Sequence, residues 1–180
     1  MPIPSRLGFW FTTNTTPPIP VPLTIEWNTE QSGIVGSGGW QVSDGGRRVR
    51  FQVEQSTNCG GYNSNTQTGT AIGSINTGNS SYLFDPILSG IGEVESAAYD
   101  LMRLVLNNVL IVRAHAPGGG RGCAPGEPVV TDIIVPPPYV LAANTTHTFS
   151  LNFTTNDRFY NGSEMFYLCE LVFYRQVGGA

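Results

Sequence analysis

The chain contains no lysine, and all nine of its basic residues are arginine. Natural sheets use Lys to blunt exposed strand edges, so the edges here are expected to be protected by pairing or by assembly. A codon or host bias accounts for the same absence equally well. Charge of either sign is scarce, at 12% of residues, and the formal net charge is -4. This excludes the clustered positive surface that phosphate backbones require, so no nucleic-acid partner is expected. Histidine occurs only at His115 and His147, with no His-x-His or Cys-x-x-Cys spacing, so neither a metal nor another cofactor is implied. Three cysteines cannot all pair within one chain. Either Cys59 and Cys123, both in Gly-rich loops, form a bridge, or all three thiols stay reduced with Cys169 buried as a small hydrophobe, and the second reading is preferred. Apolar runs are too short to cross a bilayer as a helix, which needs about 20 residues. Membrane insertion is therefore not expected. The stretch after Met1, "PIPSRLGFWF", lacks a charged n-region and a small-residue cleavage site, so no secretory signal is read. The expected location is a virion or an extracellular surface, reached as a mature form, by another export route or by lysis.

What the chain has in quantity is Gly (22), Pro (13), Thr, Ser and Asn. That mix suits many short strands joined by turns. The fold expected is all-β, an antiparallel β-sandwich or jelly roll of about 8–10 strands. No composition shift marks a second unit, and 180 residues suffice for one domain spanning 1–180, with a short tail at 1–6 and a Pro-rich arm at 13–22. Repeated Pro makes that arm extended and poor in ladder bonds, able to run along a surface or a neighbouring subunit.

Alternation assigns most strands. "LGFWF" is read as the first. "LTIEW" sets Leu23, Ile25 and Trp27 on one face, and "SDGG" marks a tight turn before "RRVRFQVE", where Val49, Phe51 and Val53 point inward. A polar loop is expected from Gln55 to Gly69, then short strands at "TAIGSI" and "SYLFDPI", and a helical or irregular turn near Glu93 to Ala97. Tyr99 to Ala116 reads as a hairpin turning at Asn107-Asn108, because Asn tolerates the positive φ of a two-residue turn. "VVTDIIV" follows, and in "TTHTFSLNF" His147, Phe149, Leu151 and Phe153 share one face. His147 is expected to be a satisfied residue at the core edge rather than a ligand.

The last strand, "MFYLCELVFYR", is apolar on both faces. One carries Met165, Tyr167, Cys169, Leu171 and Phe173; the other carries Phe166, Leu168, Glu170, Val172 and Tyr174. A strand covered on both sides points to assembly. Phe166, Leu168, Val172 and Tyr174 are the expected interface, with Tyr167, Leu171 and Phe173 as the equal alternative, since the sequence does not say which face is inside.

Motifs for chemistry are weak. "GGGRG" at Gly118 to Gly122 lacks the Lys-Ser/Thr pair of a phosphate loop, and no G-x-S-x-G elbow occurs. Glu93 and Glu95 would share one side if their segment were extended, as paired carboxylates of a glycan-cleaving enzyme do, but their context is ordinary. Arg48 and Arg50 in "RRVR" form the basic cluster, read as a solvated strand face in preference to an anion site. Five Asn-x-Ser/Thr sequons stand at Asn14, Asn79, Asn144, Asn152 and Asn161, against roughly two expected by chance, and mark possible glycosylation. Trp40, Tyr62, Asn63 and Asn65 are the aromatic and Asn-rich loop residues that would contact a ligand.

Three stretches, "EWNTE", "GGW" and "SDGGRRVRF", followed by "LVLNNVLIVRA", "TFSLNF" and the last strand, resemble the tumour-necrosis-factor-like jelly roll, which includes complement globular heads and viral and bacterial fibre heads. The last strand departs from that family's pattern, with Cys169 and Glu170 where a Gly is usual. The resemblance implies trimers packed through an aromatic sheet face. The expected function is non-enzymatic: a structural subunit of the minor capsid, decoration or fibre-head kind, whose partners are copies of itself and other virion proteins. The alternative is a surface recognition module that binds cell-surface glycans or proteins through its Gly/Asn loops.

Overall fold

A computed structural model describes residues 19–32, 38–53, 55–56, 67–92, 100–117, 126–155, 160–161 and 165–176, with only the backbone of 55–56 and 160–161. The described residues form fifteen strands: β1 (Pro20–Val21), β2 (Glu26–Ser32), β3 (Gly39–Ser43), β4 (Arg48–Gln52), β5 (Gln55–Ser56), β6 (Gln67–Asn76), β7 (Tyr82–Gly92), β8 (Leu101–Leu106), β9 (Val109–His115), β10 (Glu127–Pro128), β11 (Val130–Ile133), β12 (Tyr139–Leu141), β13 (Thr146–Thr155), β14 (Tyr160–Asn161) and β15 (Phe166–Arg175). Sheet A runs β10-β7-β15-β4-β3, with β1 also beside β15 and β12 beside β7; sheet B runs β11-β9-β8-β13-β6-β2. Pairing within both sheets is antiparallel, and β5 with β14 makes a short parallel pair. The fold is thus the expected all-β sandwich. Most sheet neighbours, such as β15 with β4 and β13 with β6, are far apart in the chain, so the winding is not a simple meander.

Period-2 alternation builds the core. Val49, Phe51 and Val53 from sheet A face Phe149, Leu151 and Phe153 from sheet B, all buried. Phe51 stacks on Phe153 with centroids 4.2 Å apart, Phe153 meets Tyr167 at 5.0 Å, and Phe84 sits edge-on to Phe149 at 5.5 Å. The last strand turns Met165, Tyr167, Cys169, Leu171 and Phe173 inward, each at most 2% exposed. Tyr167, Leu171 and Phe173 are therefore core side chains and cannot form an interface, which removes that alternative. Burial, reinforced by the charge of Glu170, pushes the Cys169 thiol well above its ordinary pKa and keeps it protonated and unreactive.

Two expectations about strand limits need correction. The segment read as a loop to Gly69 already belongs to β6 from Gln67 onward. Gln67 is fully buried, and a Cβ on Gly69 would lie 2.4 Å from the Phe51 ring and 2.8 Å from Trp40, so inward positions hold Gln and Gly where an apolar signal was sought. β7 extends through Pro86 to Gly92. Among the described residues, its ladders on the side away from β15 are with β12 at Tyr82–Phe84 and with β10 at Ile91–Gly92, so Pro86 interrupts no described ladder there.

The "SDGG" stretch forms a 3-10 turn, Asp44–Gly46, with φ of 53° at Asp44, 64° at Gly45 and 84° at Gly46. It docks the entry to β2: Ile25 N–H donates to Gly45 O at 2.9 Å, and Trp27 Nε1–H donates to Gly46 O at 2.6 Å. At the β8–β9 turn, Asn107 and Asn108 adopt φ of 47° and 67°, as the sequence predicts. Asn107 also clamps β13. Its N–H donates to Thr148 O, its Oδ1 accepts from Thr148 N–H, both at 2.9 Å, and its Nδ2–H donates to His147 Nδ1 at 3.0 Å. Replacing Asn107 by Ala removes the two side-chain bonds and the polar group that lets Asn tolerate positive φ, so chemical denaturation should show a loss of about 2–3 kcal/mol, whereas Asn108→Gly should be neutral within about 0.5 kcal/mol.

Candidate interaction surface

The sandwich has two outward faces of different chemistry. Sheet B presents Thr68, Thr70, Ile72, Ser74 and Asn76 from β6 beside Thr146, Thr148, Ser150 and Asn152 from β13 and Arg103 and Val105 from β8, with Glu26 and Glu30 along the β2 edge; Ile72 is 50% exposed. The hydroxyls and amides bond one another: Asn152 Nδ2–H donates to Ser150 Oγ at 3.0 Å, and Thr70 Oγ1–H donates to Asn152 Oδ1 at 3.4 Å. At the far end Arg113 Nε–H donates to Asp132 Oδ2 at 2.8 Å, with His115 Nε2 3.4 Å from the same oxygen. This face is polar along β13 and interrupted by apolar Ile72, Val105 and Val130.

Sheet A presents the opposite character along its central strand. Because Tyr167, Cys169, Leu171 and Phe173 point inward, Phe166, Leu168, Glu170, Val172 and Tyr174 point outward. The ladder sets each in a row. Phe166 lies between Gln52 and Ile91, Leu168 between Arg50 and Ser89, Glu170 between Arg48 and Ile87, Val172 beside Asp85, and Tyr174 between Pro20 and Leu83. Leu83 in turn pairs with Val140, which is 47% exposed. Leu168 faces outward yet is only 6% exposed, while Phe166, Val172, Tyr174, Leu83, Ile87 and Ile91 are half-buried.

Charge on this face is segregated by strand. β4 supplies Arg48 and Arg50; β15 and β7 supply Glu170 and Asp85. The Arg50 guanidinium lies 4.1 Å from the centroid of the Phe166 ring, a cation–π contact, and Arg48 Nε stands 3.6 Å from Glu170 Oε1. Burial and then the charge of Asp85 hold the Tyr174 phenol above its ordinary pKa, so it remains a neutral hydroxyl. The same two causes act on Tyr139, whose O–H donates to Val135 O at 2.6 Å.

The four residues expected to form an interface, Phe166, Leu168, Val172 and Tyr174, thus share one outward face. What the sequence did not assign is the contribution of β7: Leu83, Asp85, Ile87 and Ile91 join the face through register alone. Trp40 is half-buried, with its ring edge on Phe51 at 4.8 Å and Nε1–H donating to Glu30 O at 3.1 Å. Tyr62, Asn63 and Asn65, the proposed ligand-loop partners of Trp40, lie outside the described residues, as do Cys59, Cys123, Asn14, the Glu93–Ala97 turn, the Gly118–Gly122 loop and "LGFWF". Of the remaining sequons, Asn161 is described by its backbone alone, Asn79 and Asn144 sit exposed in neighbouring turns joined by the Asn144 N–H donating to Gly78 O at 2.5 Å, and Asn152 belongs to the outer face of sheet B. No described sequon lies on the outer face of sheet A. His147 is buried, with Nδ1 accepting from Asn107 and Nε2–H donating to Ala142 O at 3.2 Å.

Among the described residues no group of three or more His, Cys, Asp or Glu is placed to hold a metal, and no helix is long and apolar enough to cross a membrane. Comparison with protein-family models, curated proteins and solved structures gave no match.

Proposed function

We propose that this protein is a non-enzymatic structural subunit that assembles with copies of itself, as a trimer or larger particle, through the outer face of sheet A, and that it serves as a virion component of the minor capsid, decoration or fibre-head kind. One observation carries the reading: the outward positions of the central strand of sheet A are Phe166, Leu168, Val172 and Tyr174 around Glu170, beside Leu83, Ile87 and Ile91 of β7, whereas those of β13 in sheet B are Thr146, Thr148, Ser150 and Asn152. Apolar strips rimmed by polar residues mark interaction surfaces. The end of the Pro-rich arm, β1, pairs with Tyr174 and Phe173 of its own chain and so borders this face rather than covering its centre. The virion assignment is tested by peptide mass spectrometry of purified particles from the source. Recovery of this chain at fixed stoichiometry through successive density gradients supports it; its consistent absence from particles refutes it.

A further inference from the structure

The two flanks of the outer face of sheet A carry opposite charge, and this says which partner the face fits. Arg48 and Arg50 lie on β4, to one side of the apolar strand, and Asp85 lies on β7, to the other, with Glu170 between. A strongly acidic partner would meet Glu170 and Asp85; a strongly basic one would meet Arg48 and Arg50. A second copy of this chain avoids both conflicts, because its basic flank can lie against the acidic flank of the first.

We propose that assembly places Arg48 of one copy against Asp85 of the next. This rests on the assembly reading above and specifies it further. Arg48 is the better placed of the two arginines. Its side chain is 54% exposed and its own-chain partner, Glu170, is 3.6 Å away, a loose contact, whereas the Arg50 guanidinium is already seated over Phe166. Arg48 occupies the row of Glu170 and Asp85 the adjacent row of Val172, an offset of roughly 7 Å along the strand, which an extended Arg side chain covers. The contact is heterologous: one copy offers its β4 flank, the neighbour its β7 flank. Repeated, such a contact gives a ring where its rotation closes and an open filament where it does not.

Charge reversal and rescue test this. Native mass spectrometry and light scattering would be recorded for the wild type, Arg48→Asp, Asp85→Arg and the double variant, with thermal melts alongside. Each single reversal is expected to raise the apparent dissociation constant about tenfold or more, and the double variant to return to within about threefold of the wild type. Should a single reversal fail to fold, Arg48→Gln and Asp85→Asn keep the test open, each being expected to weaken association and to reduce its dependence on salt. A wild type that assembles while both reversals leave its mass profile unchanged, or a double variant no better than the singles, overturns the pairing alone. A wild type that never assembles overturns the underlying reading instead.

Discussion

Val172→Asp should reduce the assembled protein to single chains. Val172 points away from the core, half-buried in the middle of the outer face of sheet A, beside Asp85. A carboxylate there costs the fold little, since an outward position of a strand tolerates polar side chains. In an assembled interface it is a buried, unpaired charge next to another negative one, worth about 2–4 kcal/mol at the contact. That corresponds to a dissociation constant raised roughly 30- to 700-fold. Leu168→Asp should act in the same direction with a larger loss of intrinsic stability, because Leu168 is only 6% exposed within one chain. The matched control is Thr148→Asp on the outer face of sheet B, where the mass should not change. Equal dissociation by Val172→Asp and Thr148→Asp would assign assembly to no particular face.

The largest expected effect on stability comes from a residue with no side chain. A Cβ at Gly46 would lie 1.8 Å from Ile25 O, a backbone atom that cannot turn aside, and φ there is 84°. Gly46→Ala must therefore displace the entry to β2, lose the Trp27 and Ile25 hydrogen bonds to the turn, and hold Ala in a left-handed conformation. Together these should cost about 4 kcal/mol or more, enough to unfold a marginal domain at room temperature. Gly78 gives the comparison: its φ is 51°, but nothing lies within 4 Å of a Cβ built there. Gly78→Ala should cost only about 1 kcal/mol. Denaturant titration of the two variants separates clash from conformational strain, and equal losses would refute the close approach at Gly46.

Alternation made the fold class legible wherever a strand had water on one side and the core on the other. Phe149, Leu151 and Phe153 on β13 and Val49, Phe51 and Val53 on β4 were readable for that reason, as was the Asn107-Asn108 turn from its tolerance of positive φ. Legibility failed where an inward position holds something other than an apolar side chain. Gln67 and Gly69 begin β6 from the core side, the Gly leaving room for the Phe51 and Trp40 rings, and so resembled a loop. β7 runs past the expected "SYLFDPI" to Gly92, because its ladder with β15 continues to Ile91, which no local pattern shows.

The candidate surface was legible only in its central strand. A strand largely apolar on both faces suggested cover on each side, yet which face is inside depends on the partner sheet, and only packing against Phe153 and Phe149 decides it for Tyr167 and Phe173. Register then brings Asp85, Ile87 and Ile91 alongside. Residues more than seventy apart in sequence cannot be matched by local pattern, so the charge asymmetry of the face was invisible until the ladder was known.

Native mass across a concentration range, from nanomolar to tens of micromolar, tests the central claim most directly. A closed oligomer that persists at low concentration and dissociates with Val172→Asp is the predicted result. A wild-type chain that remains a monomer throughout, with a melting temperature independent of concentration, would contradict the claim that the outer face of sheet A exists to be covered by another copy.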